Sequence, residues 1–531
     1  MQLTFVAHTY PTPEFPYFGA RIAVSDLSGD TTVSRCTVCG EWIRDVFVFN
    51  DGEECRKGIL RAGSYTELRV RTDARAGDCP QIDITLASGE TASVSCPAVE
   101  PADAWPLPSW KYCAAIVLSN TTALDREAEP VHQPMAVYLD RLSDPVREVR
   151  VLEVCGRTGA MREIPSQVYH VSKWDGFADE HCQPTMNFDV AFLSRVPASG
   201  KAVYLVFYGN PDAEKPVYKT DLTVSGEGMA KTIENLYYKV KLHPLSGAID
   251  EVTVRQGVNQ TFAHHLETNG AMDWNPDTYA PPTPWNHLSD WDPPENVEWE
   301  IGPVFATLKR WGHMPMYDDV HCAVTYTFYA GFRPIIVSSS MELTQDRDVI
   351  ALRSAEVVMS RELASEVAWR NMDGTVTTSY IQDLPRHPIR GKYLPAATPW
   401  IAVYDRKSEA CLGISYIETS AIRRDHGLPR VDAHIYIHIG PWIYVARPLL
   451  YTFVGNNPQR VMHAYGNTLY YEKMAWNPMR LQINSDSAFD ELEDTTENLR
   501  VPVQTQVFLD TDVRVPTEWI PPILLAEFEE L

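Results

Sequence analysis

The chain has 531 residues, of which 44% are hydrophobic and 22% are charged, and its formal net charge at pH 7 is −24. This composition is typical of a folded protein, and the length suggests three or four domains. The acidic balance excludes a general nucleic-acid binder, whose phosphate contacts need concentrated Lys and Arg, and it argues against docking on an anionic membrane.

The N-terminal residues MQLTFVAHTYPTPEF lack a basic start followed by an apolar run, and no stretch of about 18 apolar residues occurs. We therefore predict neither a signal peptide nor a membrane span, and a cytoplasmic protein, or a secreted one if a leader has been removed. Most of the ten cysteines are isolated, which favours reduced thiols. Cys36 and Cys39 have the spacing of half a zinc site, which Cys55 and Cys79 could complete; ordinary thiols are the alternative.

Alternating apolar and polar residues predict strands throughout the chain, for example at 202–208, 237–242, 323–329 and 335–343. Helical patterns are scarce, and the best of them, at 357–369, fits a strand equally well. A parallel α/β fold would need a helix after most strands and is excluded. The proline-rich stretch 97–108 and the polar passage 220–231 read as boundaries. They predict an N-terminal β-sandwich (1–105), a second β-sandwich (106–228) and a third domain (229–531), which we expect to be the catalytic one.

The third domain opens with a strand, a turn and a second strand at 233–249, marked by Asn235, Pro244, Gly247 and Ile249. This opening resembles that of galactose mutarotase-like β-supersandwich domains, which occur in polysaccharide lyases and α-mannosidases. The resemblance implies a mainly β fold of several β-sandwiches with a C-terminal galactose mutarotase-like β-supersandwich, and it implies that the protein acts on carbohydrate. Many such lyases carry catalytic Tyr, His and Arg on an added helical toroid. This chain has no helix-rich region for one, so no catalytic residue is carried over.

The segment 264–299 combines aromatic, acidic and imidazole side chains with many prolines, which predicts a long irregular loop of the kind that usually has a function. Tryptophan faces can stack on sugar rings, while carboxylates bind hydroxyl groups. A rigid capping loop with buried tryptophans is the alternative. Its candidate catalytic residues are His265, Glu267 and Tyr279, and its candidate substrate-binding residues are Trp274, Trp285, His287 and Trp291.

A mixed polar cluster at 311–321 is a candidate metal site, with His313, Asp318, Asp319 and His321 as ligands of calcium or zinc. A plain polar turn is the alternative. The loop at 380–393 is basic in an otherwise acidic protein. Its Arg386 and Arg390 could hold a substrate carboxylate by bidentate hydrogen bonds, or form ordinary surface ion pairs.

The run Asp432-Ala-His-Ile-Tyr-Ile-His-Ile-Gly440 is the most distinctive motif. In a strand, alternate side chains share a face, so His434, Tyr436 and His438 form one stripe and the isoleucines face the core. The stripe suits acid–base catalysis, or a hydrated polar face. Trp442 continues it as a substrate-binding residue if the strand runs through Pro441. Arg447 lies on the other parity and joins the site only if the strand bends.

These candidates favour a lyase that cleaves a uronic-acid-containing oligo- or polysaccharide by β-elimination, with His434 or His438 as base, Tyr436 or Tyr279 as acid, and Arg386 or Arg390 binding the carboxylate. The first alternative is a glycoside hydrolase with paired carboxylates. Its pool is Glu267, Asp277, Asp290, Asp292, Asp318 and Asp319. A non-catalytic carbohydrate-binding protein and a mutarotase-type epimerase are further alternatives. We expect the glycan to be the binding partner, and we expect neither nucleic acid nor membrane to be one. A homo-oligomer is compatible with the sequence.

Overall fold

A computed structural model describes residues 1–176, 183–255, 257–264, 271–384, 392–425, 427, 434–440, 442–451 and 461–509. Within these ranges almost all regular structure is antiparallel β-sheet, which confirms the predicted mainly β fold of several sandwiches. No helix among these residues is long and apolar enough to cross a membrane.

The first sandwich consists of two sheets with strand orders β1-β2-β8-β5-β6 and β10-β9-β3-β4. Its core is aliphatic and is closed by residues such as Ile22, Leu68 and Ile84. The strands are β1 (Gln2–Thr9), β2 (Gly19–Ser25), β3 (Thr31–Val38), β4 (Glu41–Trp42), β5 (Val46–Asn50), β6 (Glu53–Glu54), β7 (Ile59–Leu60), β8 (Thr66–Arg71), β9 (Gln81–Leu86) and β10 (Thr91–Ser95).

The second sandwich pairs a five-stranded sheet with a three-stranded sheet, β12-β16-β15. Its elements are β11 (Tyr112–Ser119), β12 (Arg126–Tyr138), α1 (Pro145–Glu148), β13 (Arg150–Val154), β14 (Met161–Ile164), β15 (Ser166–Trp174), β16 (Thr185–Val196) and β17 (Lys201–Tyr208). The five-stranded sheet, β14-β13-β17-β11-β40, is completed by β40 (Gln504–Phe508), which returns from the C-terminal part of the chain. The predicted division at residue 229 assigned that strand to the third domain.

The third domain holds three large sheets with orders β18-β19-β20-β21-β22, β24-β23-β30-β37-β36-β33 and β25-β26-β27-β28-β39-β35-β34-β31-β32. Its strands are β18 (Thr223–Glu227), β19 (Ala230–Glu234), β20 (Tyr238–Leu242), β21 (Ile249–Val254), β22 (Gln260–Ala263), β23 (Asp277–Tyr279), β24 (Asn286–His287), β25 (Asn296–Ile301), β26 (Phe305–Met314), β27 (Tyr317–Tyr329), β28 (Ile335–Leu343), β29 (Arg347–Val349), β30 (Ala351–Ser360), β31 (Glu366–Arg370), β32 (Val376–Tyr380), β33 (Lys392–Leu394), β34 (Trp400–Tyr404), β35 (Ala410–Arg423), β36 (Ile435–Ile439), β37 (Trp442–Tyr451), β38 (Met462–Ala464) and β39 (Thr468–Arg480).

One continuous hydrophobic core joins these three sheets, as expected of a supersandwich. The nine-stranded sheet packs with its outer face on the second sandwich through Phe305, Tyr329 and Ala191. The proline-rich stretch between the first two sandwiches is also packed: Trp105 is 6% exposed and lies edge-on to Phe207. The other face of the six-stranded sheet carries a separate cluster, which includes Trp274, Tyr436 and Tyr444.

The helices of the described residues were not identified from the sequence pattern. The stretch 357–369, which fitted helix or strand, forms the end of β30, a 3-10 turn and most of β31. The longest helix of the described residues, α2 (Asp490–Arg500), was not predicted. Only two of its side chains, Leu492 and Thr496, are buried, so its sequence lacks the broad apolar stripe that identifies a helix.

A buried ion pair lies between the six-stranded and nine-stranded sheets. Arg447 and Glu472 are 2% and 1% exposed, and Arg447 Nε lies 3.1 Å from Glu472 Oε2. Thr419 also donates a hydrogen bond to this carboxylate. Burial nevertheless raises the pKa of Glu472 from its ordinary 4.5 to about 7, because desolvation outweighs these partners.

This raised pKa predicts a pH-dependent stability. Folded Glu472 holds its proton more tightly than the unfolded chain, so its stabilising contribution is complete below pH 4.5 and is lost as the pH rises through about 7. We expect E472Q to remove roughly 3 kcal/mol of this pH dependence at most. The measurement is thermal unfolding between pH 4.5 and 8. Parallel curves for the two proteins would contradict it.

Candidate active site

One face of the six-stranded sheet collects polar and aromatic side chains over four neighbouring strands. Asp277 on β23 is directly opposite His287 on β24 and, on its other side, directly opposite Arg353 on β30. These three residues therefore form a row across the sheet. Next to β30, strand β37 contributes Tyr444. We call this surface the aromatic face.

A buried charge network occupies the centre of the aromatic face. The Arg353 guanidinium binds Asp277 in a bidentate manner, with Nε donating to Oδ1 at 2.9 Å and Nη2 donating to Oδ2. The same Nη2 lies 3.1 Å from Glu356 Oε1, which also accepts a hydrogen bond from the Tyr444 hydroxyl. Trp285 Nε1 donates to Asp277 at 2.6 Å. Asp277 and Glu356 are fully buried, so two carboxylates share one cation away from water.

A β-bulge places Glu356 in this network. Along β30 the pairing with β37 runs from Ser354↔Arg447 to Val357↔Val445, so two residues, Ala355 and Glu356, oppose one. Ala355 has a φ of +52°, in the left-handed region. Strict alternation from Arg353 would direct Glu356 into the core, whereas the bulge shifts the parity and turns it onto the aromatic face.

Glu356 has an unusual protonation environment. Burial raises its pKa from 4.5 to about 7, although the charges of Arg353 and His287 act in the opposite direction. Its Oε2 atom is buried and has no hydrogen-bond partner. A carboxyl that is partly protonated at neutral pH and holds an unpaired oxygen is equipped to give a proton to a ligand.

His287 is oriented by a carboxylate. Its Nδ1 atom lies 2.7 Å from Asp290 Oδ2, and the Ser289 hydroxyl is 3.1 Å from the same nitrogen. The Asp290 carboxylate also accepts the backbone N–H of His287, which fixes the turn that carries both residues. Because a carboxylate can only accept, Nδ1 donates to Asp290, and Nε2 is the ring nitrogen left to contact a ligand.

Aromatic rings surround the two acid–base groups. Trp274 stacks on His287 with ring centroids 4.5 Å apart and is 7% exposed. Trp285 stacks on Tyr279 at 5.0 Å with nearly parallel planes, and the Arg353 guanidinium lies 4.3 Å from the Trp285 ring. His264 contacts the edge of Trp274.

The predicted long loop at 264–299 is only partly irregular. It contains β23, β24, a 3-10 turn at Leu288–Asp290 and the start of β25, because short stretches add to the edges of two sheets. Tyr279, Trp274, Trp285 and His287 lie on the aromatic face, as described. Trp291 does not: its ring is in the hydrophobic core and its Nε1 donates to the His313 carbonyl, so its predicted substrate-binding role has no support.

The predicted alternation in 434–438 is present. Tyr436 belongs to the aromatic face, while Ile435, Ile437 and Ile439 belong to the core. The rings of Tyr436 and His438 are parallel at 6.0 Å, and His434 is exposed against Tyr393.

Trp442 does not belong to the same strand as this stripe, however, because β36 ends at Ile439 and β37 begins at Trp442. β36 and β37 form an antiparallel hairpin in which His438 opposes Tyr444, so Trp442 returns on the neighbouring strand and reaches the edge of His264. Arg447 lies on the same side of β37 as Ile443 and Val445, which face the core, and it is buried against Glu472. Its predicted substrate-binding role is therefore not supported by its position.

The four residues of the predicted metal cluster are engaged with other partners or exposed. His313 and His321 face each other across the β26–β27 hairpin, and His313 pairs with Glu295. Asp319 is held by Arg347, and Asp318 is exposed. In the part of the chain that the structure describes, no group of three or more His, Cys, Asp or Glu residues could hold a metal ion. This applies also to the predicted cysteine site at Cys36, Cys39, Cys55 and Cys79.

Four other candidates lie outside the described residues, namely His265, Glu267, Arg386 and Arg390. Conversely, Glu356 and Arg353, at the centre of the buried charge network, were not among the residues predicted from the sequence. Asp277 and Asp290 were predicted only as members of a pool of carboxylates. The one available signal was the charged pair Arg353 and Glu356 inside an otherwise apolar strand, where charges are rarely buried unless they are paired.

No protein-family profile and no curated protein matches this chain. Among solved structures, it is similar to a glycosyl hydrolase family 38 protein from Enterococcus faecalis (TM-score 0.45, 12% identity, 74% of this chain and 47% of that one) and to an α-mannosidase from Enterococcus faecalis V583 (0.44, 11%, 74% and 46%). A galactose mutarotase-like protein from Lactobacillus casei ATCC 334 is similar over 47% of this chain and 99% of its own (0.30, 9%). This chain thus spans less than half the length of the first two. These neighbours include a galactose mutarotase-like protein and an α-mannosidase, the kinds of protein in which the resembling domain occurs. Their TM-scores are below 0.5 and support no conclusion about activity.

Proposed function

We propose that the aromatic face is the active site of a carbohydrate-active enzyme that hydrolyses a glycosidic bond. The observation that carries the proposal is the combination on one face of a carboxyl with a pKa of about 7, Glu356, and a carboxylate-oriented imidazole, His287. Two titratable groups whose environments assign them opposite roles are the usual signature of an acid–base pair.

In this proposal Glu356 is the general acid and protonates the leaving oxygen through Oε2. His287 is the general base and takes a proton from the attacking water at Nε2, while Asp290 stabilises the imidazolium that forms. Asp277 does not act as nucleophile, because both of its oxygens are bound by Arg353 and Trp285. Direct attack by water without a covalent intermediate inverts the anomeric configuration.

The aromatic rings supply the binding surface. The half-buried Tyr279–Trp285 pair is an aromatic surface of the kind on which the C–H face of a sugar ring packs, and the buried Trp274 supports the His287 ring by stacking on it. The neighbouring carboxyl and imidazole then meet the hydroxyl groups at the ring edge.

β-Elimination on a uronic acid is the second candidate, because Tyr436 and His438 do share the aromatic face. That reaction needs a cation or hydrogen-bond donors to neutralise the substrate carboxylate. On the described part of the face, Arg353 is already bound by two carboxylates, which disfavours it relative to hydrolysis.

The two reactions are separated by their products. Purified protein is incubated with a panel of neutral and acidic oligosaccharides, and the products are followed by reducing-end assay, ultraviolet absorbance and NMR of the anomeric proton. Hydrolysis gives new reducing ends of inverted configuration without absorbance, whereas elimination gives an absorbing unsaturated uronate. Binding without turnover over the whole panel would reject both reactions and favour a binding protein.

Trp274→Ala tests the proposed binding surface. We expect weaker binding of the substrate by about 1 to 2 kcal/mol, or roughly five- to thirtyfold, because the variant removes the ring that stacks on His287 and holds it in place. The measurement is titration calorimetry with the glycan that the panel identifies. Trp174→Ala, at a 38% exposed tryptophan of the second sandwich, is the matched control and should bind normally. Equal effects of the two substitutions would contradict the assignment.

A further inference from the structure

The bulge in β30 is held by a side chain from a different segment. Asn275 is 1% exposed, and its Oδ1 accepts the backbone N–H of Ala355 at 2.8 Å. A bulged residue loses its ladder partner, and a buried N–H without a partner is costly. Asn275 therefore satisfies a backbone donor of the bulge.

Two further contacts tie the same segment to β30. Asp273 forms an isolated antiparallel bridge with Val357, just beyond the bulge. Trp274, between Asp273 and Asn275, stacks on His287. The segment 273–275 thus contacts both the bulge in β30 and the His287 ring of the proposed acid–base pair.

We propose that Asn275 is a positioning residue, which holds the bulge at Ala355 in the register that turns Glu356 onto the aromatic face. The catalytic part of this inference rests on the proposed function, whereas the placement of Glu356 does not. Without the Asn275 acceptor, the favoured alternative is regular pairing of β30 with β37, in which Glu356 leaves its place beside Arg353.

Several charged or titratable groups face Glu356. The pKa of Glu356 therefore depends on where its side chain lies. Arg353 lies on its own strand, Tyr444 on β37 and His287 on β24. Asp277 acts through Arg353, and the charge of Asp273 also interacts with Glu356. A displaced Glu356 exchanges this buried setting for a more hydrated one, and its pKa moves down towards 4.5.

The test uses the full chain with Asn275→Ala, Asn275→Asp and Ala355→Gly. The first removes the acceptor and the second keeps a carboxylate oxygen in its place. Ala355→Gly makes the left-handed conformation free of steric cost, so the double variant N275A/A355G should recover part of what N275A loses.

Two readouts distinguish this inference from the proposed function. The first is the pH dependence of thermal stability between pH 4.5 and 8, measured for each variant with and without E356Q, which isolates the titration of Glu356 and needs no substrate. The second is the pH profile of kcat. We expect N275A to lower kcat by roughly a hundredfold and to move the alkaline limb of the profile to lower pH, with N275D close to the parent protein.

An unchanged Glu356 titration in N275A overturns the positioning role. So does failure of both N275A and N275A/A355G to fold while N275D folds, since Asn275 is then a purely structural residue. A shifted titration without any glycan turnover supports the positioning role and rejects the proposed hydrolysis.

Discussion

Glu356→Gln is expected to lower kcat by a factor of about 10² to 10⁴, because Gln cannot give a proton to the leaving oxygen. The side chain keeps its volume, and its amide can still meet Tyr444 and the surrounding rings. KM should therefore change much less than kcat. A loss confined to kcat is the mark of an interaction that matters in the transition state.

The pH profile provides a second check on Glu356. A general acid must be protonated, and burial raises the pKa of this carboxyl to about 7. Deprotonation of Glu356 should therefore reduce activity as the pH rises through about 7. In E356Q the residual activity should lack this alkaline limb. The measurement is kcat between pH 5 and 9 on the glycan identified by the panel.

Glu298→Gln is the matched control, since Glu298 is exposed on β25 of the nine-stranded sheet. It should retain parental activity and the parental pH profile. Parental kcat in E356Q, or an alkaline limb that survives the substitution, would reject Glu356 as the general acid.

The strand Ile435–Ile439 shows what the sequence could predict. Alternation with period two depends only on the extended backbone. The prediction that Tyr436 lies on the opposite face from the isoleucines is therefore confirmed. The condition set for Trp442, a single strand that includes it, is not met, because Trp442 lies on β37, which pairs antiparallel with β36. Trp442 nevertheless stayed close to the site, since a short hairpin keeps neighbouring strands in one sheet.

Glu356 shows what the sequence could not predict. Its orientation depends on a two-residue bulge opposite Ala446, and that bulge depends on Asn275, eighty residues earlier in the chain. No local pattern encodes such a contact. The same limit applies to the tryptophans: Trp285 and Trp291 are six residues apart in similar surroundings, yet one binds Asp277 on the aromatic face and the other enters the core.

The ion pair of Arg353 should control the stability of the third domain. Arg353→Met leaves Asp277 and Glu356 fully buried without their shared cation. Removing one partner of a buried pair costs about 3 to 5 kcal/mol, since the remaining charge keeps its desolvation penalty. We expect the denaturant unfolding of the third domain to show a loss of this size, at pH 8, where Glu356 is mostly ionised.

Lower pH should relieve part of this loss. At pH 5 Glu356 is protonated, so only Asp277 remains as an uncompensated charge, and the difference between R353M and the parent protein should shrink. At pH 5, where Glu356 is protonated, the double variant R353M/D277L also lacks the charges of Arg353 and Asp277 and should be more stable than R353M alone, because an apolar pair of similar volume is often neutral. If the double variant loses as much stability as the sum of R353M and D277L, the two side chains do not act as a pair. Recovery of stability in R353M/D277L without recovery of activity would instead show that the network serves the site: the ion pair is then dispensable for folding and is retained because it holds Glu356 and Trp285 in place.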